Sequence, residues 1–555
     1  MQGVTYENTR TRQAVLLLPV SEKAGLVRVN LKHGGTLVDA VYARLCPPEE
    51  QDYAEVIRTQ SFADEGLTLA VSVESCPDTE GGVSVLTPCE CSRLESYPAF
   101  ADEIDAYDEP CRPWVHFSSV RGWINDTNGP ILIDGLYHLF YQQQAGDPHA
   151  TWKLCTWGHA VSKDLFHWTE VDPVIRAPGA ASDCSLIRRS DGVPCIGVSH
   201  GLYESADGCM TFQRNAQYPG FGGDPKIFWD DDAGHYVRIC LGRLEDGKYR
   251  SYDSYEWYVS PDLIHWEHTD SMYGMHECPD FFRLKLDGTG PDVGVLVCGD
   301  TSYLLGSFDG RKFTPDPIDP NRVDHWVAAH PVSEEMHPYC DRYNGHAANE
   351  AKDGWGRFFA YAYQSFSNLP NGRILRMGWL SADTPGCTSF AQCQSIPQEV
   401  TLKTTRFGPR LCQLPAPELA VDHVGEPVSV GSSQAISFTL PAVDIEARYA
   451  LDGAVQVGEF RFAYSRERSA LRISQTGEPD CFLPYPLLPD ESAISFRMIR
   501  DRGSVEIFFG MGEVYAPFHA AWDADTFTVQ ASANASAAVT AFDCIYPPAP
   551  GIRRS

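Results

Sequence analysis

Short stretches of alternating apolar and polar residues run along almost the whole chain, whereas long stretches with helical spacing are scarce. Residues 131–133 and 136–141 are both typical of strands, and Asp134 and Gly135 between them suit a two-residue type I′ hairpin turn. Alternation of this kind is typical of strands that bury one face. The pattern predicts an almost all-β protein.

A short motif recurs through the middle of the chain. Ser-x-Asp-Leu-x-His-Trp occurs at residues 162–168 and 260–266, and looser copies, with Ser-x-Asp-Gly followed by Phe, begin at Ser205 and Ser307. The intervals between the copies are close to the roughly 40–50 residues that one four-stranded propeller blade occupies. Ser, Asp and Gly are also common in ordinary turns, but the tryptophan shared by the first two copies favours a repeat. The central region is therefore predicted to be a β-propeller.

The length of the chain and the position of its strand patterns predict several domains. The chain has 555 residues, more than one hydrophobic core normally serves, so two or three domains are expected. Beyond Pro415 and Pro417, alternation at residues 459–464 and 504–509 is typical of a β-sandwich. We predict a small N-terminal β domain and linker over residues 1–107, a propeller over residues 108–400, and a linker and C-terminal β-sandwich over residues 401–555.

Composition limits the partners and the location of the protein. A formal net charge of −30 repels phosphate backbones and anionic membranes, so we expect neither nucleic acid nor a membrane as a partner. The apolar run at residues 14–20 lacks a small-residue cleavage site and is shorter than the about 20 residues that span a bilayer, which predicts a cytoplasmic protein. The oligomeric state stays open.

The cysteines give little indication of a disulfide framework or of a metal site. There are 18 of them, scattered along the chain, and they form no Cys-x-x-Cys pair. In a long chain that is predicted to be cytoplasmic, this arrangement favours reduced thiols. It also gives no support to a zinc site. We expect no metal and no cofactor.

Three short segments place an acidic residue in a turn. They are Trp-Ile-Asn-Asp-Thr-Asn-Gly at residues 123–129, Gly-Asp-Pro at residues 223–225 and Glu-Cys-Pro-Asp at residues 277–280. Hydrolysis of a glycosidic bond needs two carboxyl groups that flank the bond. Each segment by itself is more typical of a structural turn than of a catalytic site. Their order on one repeat array makes the three acids candidates for such chemistry.

These segments resemble the motifs of glycoside hydrolase family 32, the invertase, inulinase and levanase family, which read Trp-Met-Asn-Asp-Pro-Asn-Gly, Arg-Asp-Pro and Glu-Cys. The resemblance covers roughly residues 112–545 and includes Tyr-His-Leu-Phe-Tyr-Gln at residues 137–142. It implies a five-bladed β-propeller with its active site in the central funnel, followed by a β-sandwich. It also implies retaining hydrolysis of β-fructofuranosyl bonds in sucrose, fructo-oligosaccharides, inulin or levan, through a covalent fructosyl-enzyme intermediate.

The resemblance assigns a role to each of the three acids. Asp126 is expected to be the nucleophile, Glu277 the general acid/base and Asp224 the group that holds sugar hydroxyls. Repulsion between the acids in a partly apolar funnel predicts a raised pKa for the acid Glu277. The residues expected around the bound sugar are Asn125, Gln142, Trp157, Ser182, Cys278 and Tyr361.

For two of these residues a structural role is considered beside the role in sugar binding. Trp157 suits a tryptophan in the core of a blade as well as it suits a sugar contact. Cys278 is expected to pack beside the acid and not to act as a nucleophile. The folded structure is needed to decide between these roles.

The sequence also departs from the family motifs. Thr127 stands where the family has Pro, Gly223 stands where it has Arg, and residues 182–185 match the family's Ser-Gly-Ser segment imperfectly. Gly223 removes a charged donor from the sugar pocket, so sucrose is not expected to be the best substrate. Two alternatives stay open: fructosyl transfer to another sugar, and a carbohydrate-binding propeller with weak catalysis.

Overall fold

The structure is a computed structural model of the full chain. It describes residues 4–6, 15–21, 23–33, 36–58, 69–75, 99–101, 107, 109–146, 155–175, 185–242, 244–245, 248–249, 254–273, 277–299, 303–316, 360–381, 387, 389–520 and 525–546. Within these ranges strands predominate, and the helical segments are the 3₁₀ turns Pro48–Glu50, Pro370–Gly372 and Pro417–Asp422. None of the helices in the described part of the chain has the length and apolar character that a membrane span requires. The predicted all-β fold class is confirmed.

The N-terminal region forms two sheets around a core of its own. Its strands are β1 (Val4–Tyr6), β2 (Val15–Val20), β3 (Val27–His33), β4 (Thr36–Ala43), β5 (Tyr53–Arg58), β6 (Leu69–Ser75) and β7 (Ala99–Ala101). The strand orders are β1-β6-β3-β4 and β5-β2-β7. Alternate residues of β2 and β3, such as Leu16, Leu18, Val27 and Val29, are buried together between the sheets. The backbone N–H of Arg44 bonds to the carbonyl oxygen of Gly146, which joins this region to the first blade.

Five sheets of the central region are the blades of the propeller. Blade I contains β8 (Gly122–Thr127), β9 (Ile131–Ile133), β10 (Leu136–Gln144), β11 (Thr156–Ser162) and β12 (Thr169–Ile175). Blade II contains β13 (Ser185–Arg188), β14 (Pro194–Val198), β15 (Gly201–Glu204) and β16 (Gln213–Asn215). Blade III contains β17 (Gly223–Asp230), β18 (His235–Leu241), β21 (Ser254–Ser260) and β22 (Glu267–Tyr273), and the hairpin β19 (Leu244–Glu245) and β20 (Lys248–Tyr249) lies between its second and third strands.

The remaining two blades complete the ring. Blade IV contains β23 (Asp280–Lys285), β24 (Asp292–Val297), β25 (Tyr303–Phe308) and β26 (Phe313–Pro315). Blade V contains β27 (Ala360–Ser365), β28 (Ile374–Leu380), β30 (Cys393–Gln394), β31 (Gln398–Thr405) and β32 (Gly408–Pro415), while β29 (Phe390–Ala391) joins the sheet of blade I. Strand β29 pairs in parallel with β8, and the backbone N–H of Gly122 bonds to the carbonyl oxygen of Ser389 at 2.7 Å. These contacts close the last blade onto the first.

The recurring motif lies at one place in each blade that carries it, the turn between the last two strands. The aspartate side chain stabilises that turn by accepting backbone N–H groups. Oδ1 of Asp164 accepts from Phe166 and His167, and Oδ1 of Asp262 accepts from Ile264 and His265. The predicted hairpin is also present, with positive φ at both Asp134 and Gly135, as a type I′ turn requires.

The C-terminal region is the predicted β-sandwich. Its strands are β33 (His423–Val430), β34 (Ala435–Thr439), β35 (Ala442–Ala450), β36 (Ala454–Val457), β37 (Phe460–Ser465), β38 (Ala470–Gln475), β39 (Cys481–Pro484), β40 (Ala493–Asp501), β41 (Ser504–Phe509), β42 (Val514–His519), β43 (Thr526–Ala531) and β44 (Ala535–Phe542). The two six-stranded sheets have the orders β33-β44-β35-β40-β41-β42 and β34-β43-β36-β37-β38-β39. Aromatic side chains such as Phe460, Phe462 and Phe496 fill the space between them.

Two details of the fold differ from the sequence predictions. The expected boundary between residues 400 and 401 falls inside β31, and blade V continues to Pro415 because β32 pairs with β31. Cys111 and Cys387 form a disulfide, with their Cα atoms 6.6 Å apart, so the expectation of reduced thiols is wrong for this pair. Of the eleven other cysteines among the described residues, ten are buried.

Candidate active site

Three of the candidate residues lie at or just before the N-terminal ends of the first strands of their blades, and Asp126 is the fifth of the six residues of β8. Asp224 is the second residue of β17, Tyr361 is the second residue of β27, and Glu277 lies three residues before β23. Asp126 lies on β8, the first strand of blade I. In a propeller the first strands surround the central channel. The fold therefore brings side chains from four blades to one end of that channel.

Asp126 is held in a polar setting on β8. Nε2 of Gln142 lies 3.5 Å from Oδ2 of Asp126, in a position to donate a hydrogen bond. Gln394 of β30 contacts the residues on both sides of Asp126: its Nε2 donates to the carbonyl oxygen of Asn125 at 2.6 Å, and its Oε1 accepts from the hydroxyl of Thr127. Thr127 thus anchors the strand through a hydroxyl that the proline of the family motif lacks.

The turn that carries Glu277 has an unusual backbone. Glu277 and Cys278 both have positive φ, 34° and 46°, which residues other than glycine rarely adopt. The backbone N–H of Cys278 bonds to Oδ2 of Asp224 at 3.3 Å, so the second and third motifs contact each other directly. Asp224 also has positive φ, 43°. Strained backbone of this kind is frequent at functional sites.

Tyr361 contacts the candidate acid/base. Its hydroxyl donates a hydrogen bond to Oε2 of Glu277 at 2.7 Å. Burial, followed by the charges of Cys278 and Glu277, raises the pKa of Tyr361 far above its ordinary value, so the hydroxyl keeps its proton and acts as a donor. The ring of Trp379 meets the ring of Tyr361 edge to face, with centroids 6.4 Å apart. This packing fixes the direction of the hydroxyl.

The three carboxyl groups interact electrostatically. Burial raises the pKa of Asp126 well above its ordinary value, and the charges of Glu277 and then Asp224 raise it further. The raised pKa that the sequence predicted for Glu277 stays a prediction, and the carboxyl whose pKa the structure raises is Asp126.

A buried ion pair lies a few residues further along the strands that follow Asp224 and Glu277. Nζ of Lys226 on β17 is 2.7 Å from Oδ1 of Asp280 on β23, and both side chains are almost fully buried. Ser365 of β27 completes the group, because its N–H and its hydroxyl both donate to the carboxylate of Asp280, at 2.8 and 2.9 Å. The group joins blades III, IV and V at positions that follow Asp224, Glu277 and Tyr361 in the sequence.

The remaining predicted residues lie in different surroundings. Asn125 and Gln142 are mostly buried beside Asp126, and Cys278 is buried next to Glu277 and Tyr361, as a packed neighbour would be. Trp157 has no exposed surface and packs with Phe140 and other residues between blades I and II. It is therefore a tryptophan in the core of a blade, the first of the two interpretations given for it. Ser182 lies outside the described residues.

Gly223 leaves limited room for a side chain. A Cβ atom at this position would lie 3.1 Å from the carbonyl oxygen of Leu241 and 3.4 Å from its Cβ atom. The contact is tight, but φ of Gly223 is outside the left-handed region, so a shift of a few tenths of an ångström would admit a side chain. The neighbouring Gly222 is different, since its φ is 89° and a Cβ atom would lie 2.7 Å from Sγ of Cys240.

Sequence reasoning missed several residues that shape this site. Lys226 directly follows the Gly-Asp-Pro motif and Asp280 ends the Glu-Cys-Pro-Asp motif, so charged residues on otherwise apolar inner strands were a usable indication. Gln394 and Tyr255 gave no such indication, because they lie on other strands, far along the chain from the residues they contact. No group of His, Cys, Asp and Glu side chains suited to hold a metal ion occurs in the part of the chain that the structure describes.

Comparison with known proteins gives one consistent result. The family profile described as "Glycosyl hydrolases family 32 N-terminal domain" matches residues 116–185 and 215–415. A levanase of Bacillus sp. (strain L7) is 25% identical over 501 residues, which cover 74% of this chain and 49% of the levanase. An extracellular exo-inulinase of Aspergillus niger is 24% identical over 506 residues, which cover 73% of this chain and 89% of that protein.

A solved structure shows the same fold. The exo-inulinase from Aspergillus awamori superimposes with a TM-score of 0.61 at 19% identity, covering 79% of this chain and 100% of that one. A propeller with three clustered carboxyl groups, followed by a sandwich, defines the protein as a glycoside hydrolase. The chain belongs to glycoside hydrolase family 32.

Proposed function

We propose that this protein is a retaining hydrolase of β-fructofuranosyl bonds in sucrose, fructo-oligosaccharides, inulin or levan. The observation that carries the proposal is the cluster of Asp126, Asp224 and Glu277, whose charges interact at one end of the channel. The names of the similar proteins, a levanase and an exo-inulinase, support the class of substrate. A neutral saccharide also suits a chain with a net charge of −30, which disfavours anionic partners.

The proposed reaction divides the work among the three acids. Ionised Asp126 attacks the anomeric carbon of fructose while protonated Glu277 gives its proton to the leaving oxygen, and Glu277 then removes a proton from the attacking water. This requires the proton to be on Glu277 when the bond is cleaved, whereas burial and the neighbouring charges raise the pKa of Asp126, so ionised Asp126 is a demand that the bound substrate has to meet. Asp224, which accepts the N–H of Cys278, would hold sugar hydroxyls with its other oxygen.

The surrounding side chains have supporting roles in this proposal. Gln142 and Asn125 flank Asp126 and would contact the fructose ring, while the hydroxyl of Tyr361 would orient the carboxyl of Glu277. The absence of a side chain at Gly223 would affect which fructoside is preferred. Loss of one hydrogen bond to a charged group typically costs about 1.5–3 kcal/mol.

A substrate panel with two variants tests the proposal. Purified protein is incubated with sucrose, inulin and levan, and the released fructose is assayed for the wild type, Asp126→Asn and Glu277→Gln. Both variants should lose activity by about 10³-fold or more, because each removes a group that takes part in bond cleavage. The matched controls are Asp232→Asn and Glu267→Gln, two exposed acids outside the cluster, which should retain wild-type rates.

Three results would contradict the proposal. Folded wild-type protein that releases no fructose from any substrate would exclude hydrolysis, and calorimetric binding without turnover would favour a carbohydrate-binding propeller instead. Longer oligosaccharides as the main product at high sucrose concentration would favour fructosyl transfer. Activity of Asp126→Asn or Glu277→Gln within a few-fold of the wild type would contradict the assigned roles.

A further inference from the structure

The turn formed by Glu277 and Cys278 is costly for the backbone to maintain. Two consecutive residues other than glycine have positive φ, and the second of them precedes Pro279. A residue before proline is restricted towards extended conformations, so positive φ at Cys278 is further disfavoured. A conformation of this kind persists only where surrounding contacts hold it. The direction of the Glu277 side chain depends on the same backbone.

Contacts on the carbonyl side of the turn come from blades III and IV. The hydroxyl of Tyr255, on β21, donates a hydrogen bond to the carbonyl oxygen of Glu277 at 2.6 Å. The backbone N–H of Gly299 donates to the same oxygen at 3.0 Å. The carbonyl of Glu277 therefore has two donors that approach from different strands, and Tyr255 provides the one that belongs to a side chain.

The setting of Tyr255 makes its hydroxyl a fixed donor. The side chain has no exposed surface and lies in the apolar core between blades III and IV, with Trp257 and Leu296. Burial raises the pKa of Tyr255 well above its ordinary value, so the phenol stays protonated. Because the ring is packed on its sides, the hydroxyl has little freedom to move away from the turn.

Tyr255 acts on the backbone of Glu277, while the side-chain carboxyl of Glu277 receives its hydrogen bond from Tyr361. We infer that Tyr255 is a positioning residue, which holds the Glu277–Cys278 turn in the conformation that directs the carboxyl of Glu277 towards the leaving group. This inference rests on the proposed function, because it assumes that Glu277 is the general acid/base.

The variant Tyr255→Phe tests the inference with the loss of one oxygen atom. The matched control is Tyr546→Phe, since Tyr546 is also buried and its hydroxyl also donates to a backbone carbonyl, that of Phe166, at 3.1 Å in blade I. Both variants should fold and should show similar, modest decreases in Tm. Only Tyr255→Phe should lower kcat on sucrose or inulin, by about 10-fold or more, with KM nearly unchanged.

A substrate with a better leaving group distinguishes a positioning role of Tyr255 from a general structural effect of its substitution. An aryl β-fructofuranoside with a good leaving group needs little help from a general acid in the first step, so Tyr255→Phe should keep its kcat/KM on this substrate within a few-fold while its kcat/KM on sucrose falls. The comparison uses kcat/KM because Glu277 also acts as base in the second step, hydrolysis of the fructosyl-enzyme, which is the same for both substrates. The pH dependence of kcat/KM on sucrose should also change in Tyr255→Phe and not in Tyr546→Phe, because only the former moves the acid/base.

Each outcome decides a different question. Equal losses on sucrose and on the aryl fructoside, or kinetics that match those of Tyr546→Phe, would overturn the inference about Tyr255. A wild-type protein without activity on any fructoside would instead contradict the proposed function. Activity of the wild type with a selective loss in Tyr255→Phe supports both.

Discussion

At the scale of single residues, the environment of Asp126 disfavours the ionised form of its carboxyl group. Burial and two neighbouring carboxyl groups raise the pKa of Asp126, so the folded protein holds a proton there more tightly than the unfolded chain does. Folding therefore becomes less favourable as pH rises from the unfolded pKa of about 3.9 towards the raised value. This cost is typical of active sites, in which function is maintained at the expense of stability.

The variant Asp126→Asn should stabilise the protein at neutral pH, because the amide carries no charge to bury. Because the pKa of Asp126 is raised in the folded state, the variant should be more stable than the wild type at pH 7. The gain should vanish below about pH 4, where the carboxyl is protonated in both states. Urea unfolding of wild type and variant at pH 4 and pH 7 measures it. An equal difference at both pH values would contradict this expectation.

Gly223 is the residue where the pocket departs most from the family motif. The variant Gly223→Arg should place a guanidinium beside the carboxyl cluster and supply a charge-assisted hydrogen bond to the sugar. At about 1.5–3 kcal/mol for such a bond, KM for sucrose should fall by roughly 10- to 150-fold. The control Gly223→Ala adds only the crowded Cβ atom near Leu241 and should lower stability without lowering KM. An unchanged KM in both variants would show that the lost arginine does not limit binding.

At the scale of elements, the inner strands carry both the candidate residues and their support. Lys226, Asp280 and Ser365 lie two, three and four residues after Asp224, Glu277 and Tyr361, on the first strands of blades III, IV and V. Each strand therefore presents one residue to the pocket and another to a buried polar group that connects the blades. The relative position of the three strands, and hence of the candidate residues, depends on this group.

The variant Lys226→Met should strongly destabilise the protein, because it removes the ammonium group that contacts the buried carboxylate of Asp280. Removal of one partner from a buried ion pair typically costs about 3–5 kcal/mol. The control is Lys285→Met, since Lys285 forms an ion pair with Asp292 on the exposed part of blade IV and should contribute less than about 1 kcal/mol. Chemical unfolding of both variants gives the comparison. Similar losses of unfolding free energy in the two variants would mean that the buried Lys226–Asp280 ion pair contributes no more stability than an exposed one.

At the scale of the whole molecule, a buried histidine connects the propeller to the sandwich. Nδ1 of His116 lies 2.9 Å from Asp501 and Nε2 lies 3.0 Å from Glu506, both residues of the sandwich. Asp501 also accepts the backbone N–H groups of Trp114, Val115 and His116. Although burial opposes the charge of His116, hydrogen bonds to Asp501 and Glu506 and the charges of both residues raise its pKa to about 9.

The stabilisation from His116 should depend on pH with a defined sign. A group whose pKa is higher in the folded state stabilises most below its unfolded pKa of about 6.5, and this contribution is lost as pH rises through about 9. The difference in unfolding free energy between wild type and His116→Gln should therefore shrink by about 3 kcal/mol between pH 6.5 and pH 9.5.

The control for this prediction is His265→Gln, which removes a histidine whose side chain is 81% exposed beside Asp262. Its difference from the wild type should be small throughout, because exposed ion pairs contribute little. Urea unfolding at several pH values measures both variants. A difference for His116→Gln that stays constant or grows with pH would contradict the charged state of the buried histidine.

The sequence by itself determined the local features of this protein. Strand alternation, the Asp134-Gly135 turn and the repeated Ser-x-Asp turns depend on neighbouring residues, and so the all-β fold and the blade repeat could be predicted. The motifs also identified Asp126, Asp224 and Glu277 as candidates, and the structure brings the three carboxyl groups together. The family resemblance supplied the number of blades, which strand patterns alone did not define.

Only the tertiary structure decided which residues meet. The pKa of Asp126 depends on Glu277, Trp157 proved to be a core residue, and Cys111 pairs with Cys387 across 276 residues of sequence. Gln394, whose amide holds the backbone of Asn125, is 269 residues away from it. Burial and charge act through space, so they follow from the closure of the ring and not from local pattern. For that reason the chemistry of the pocket became visible only in the folded chain.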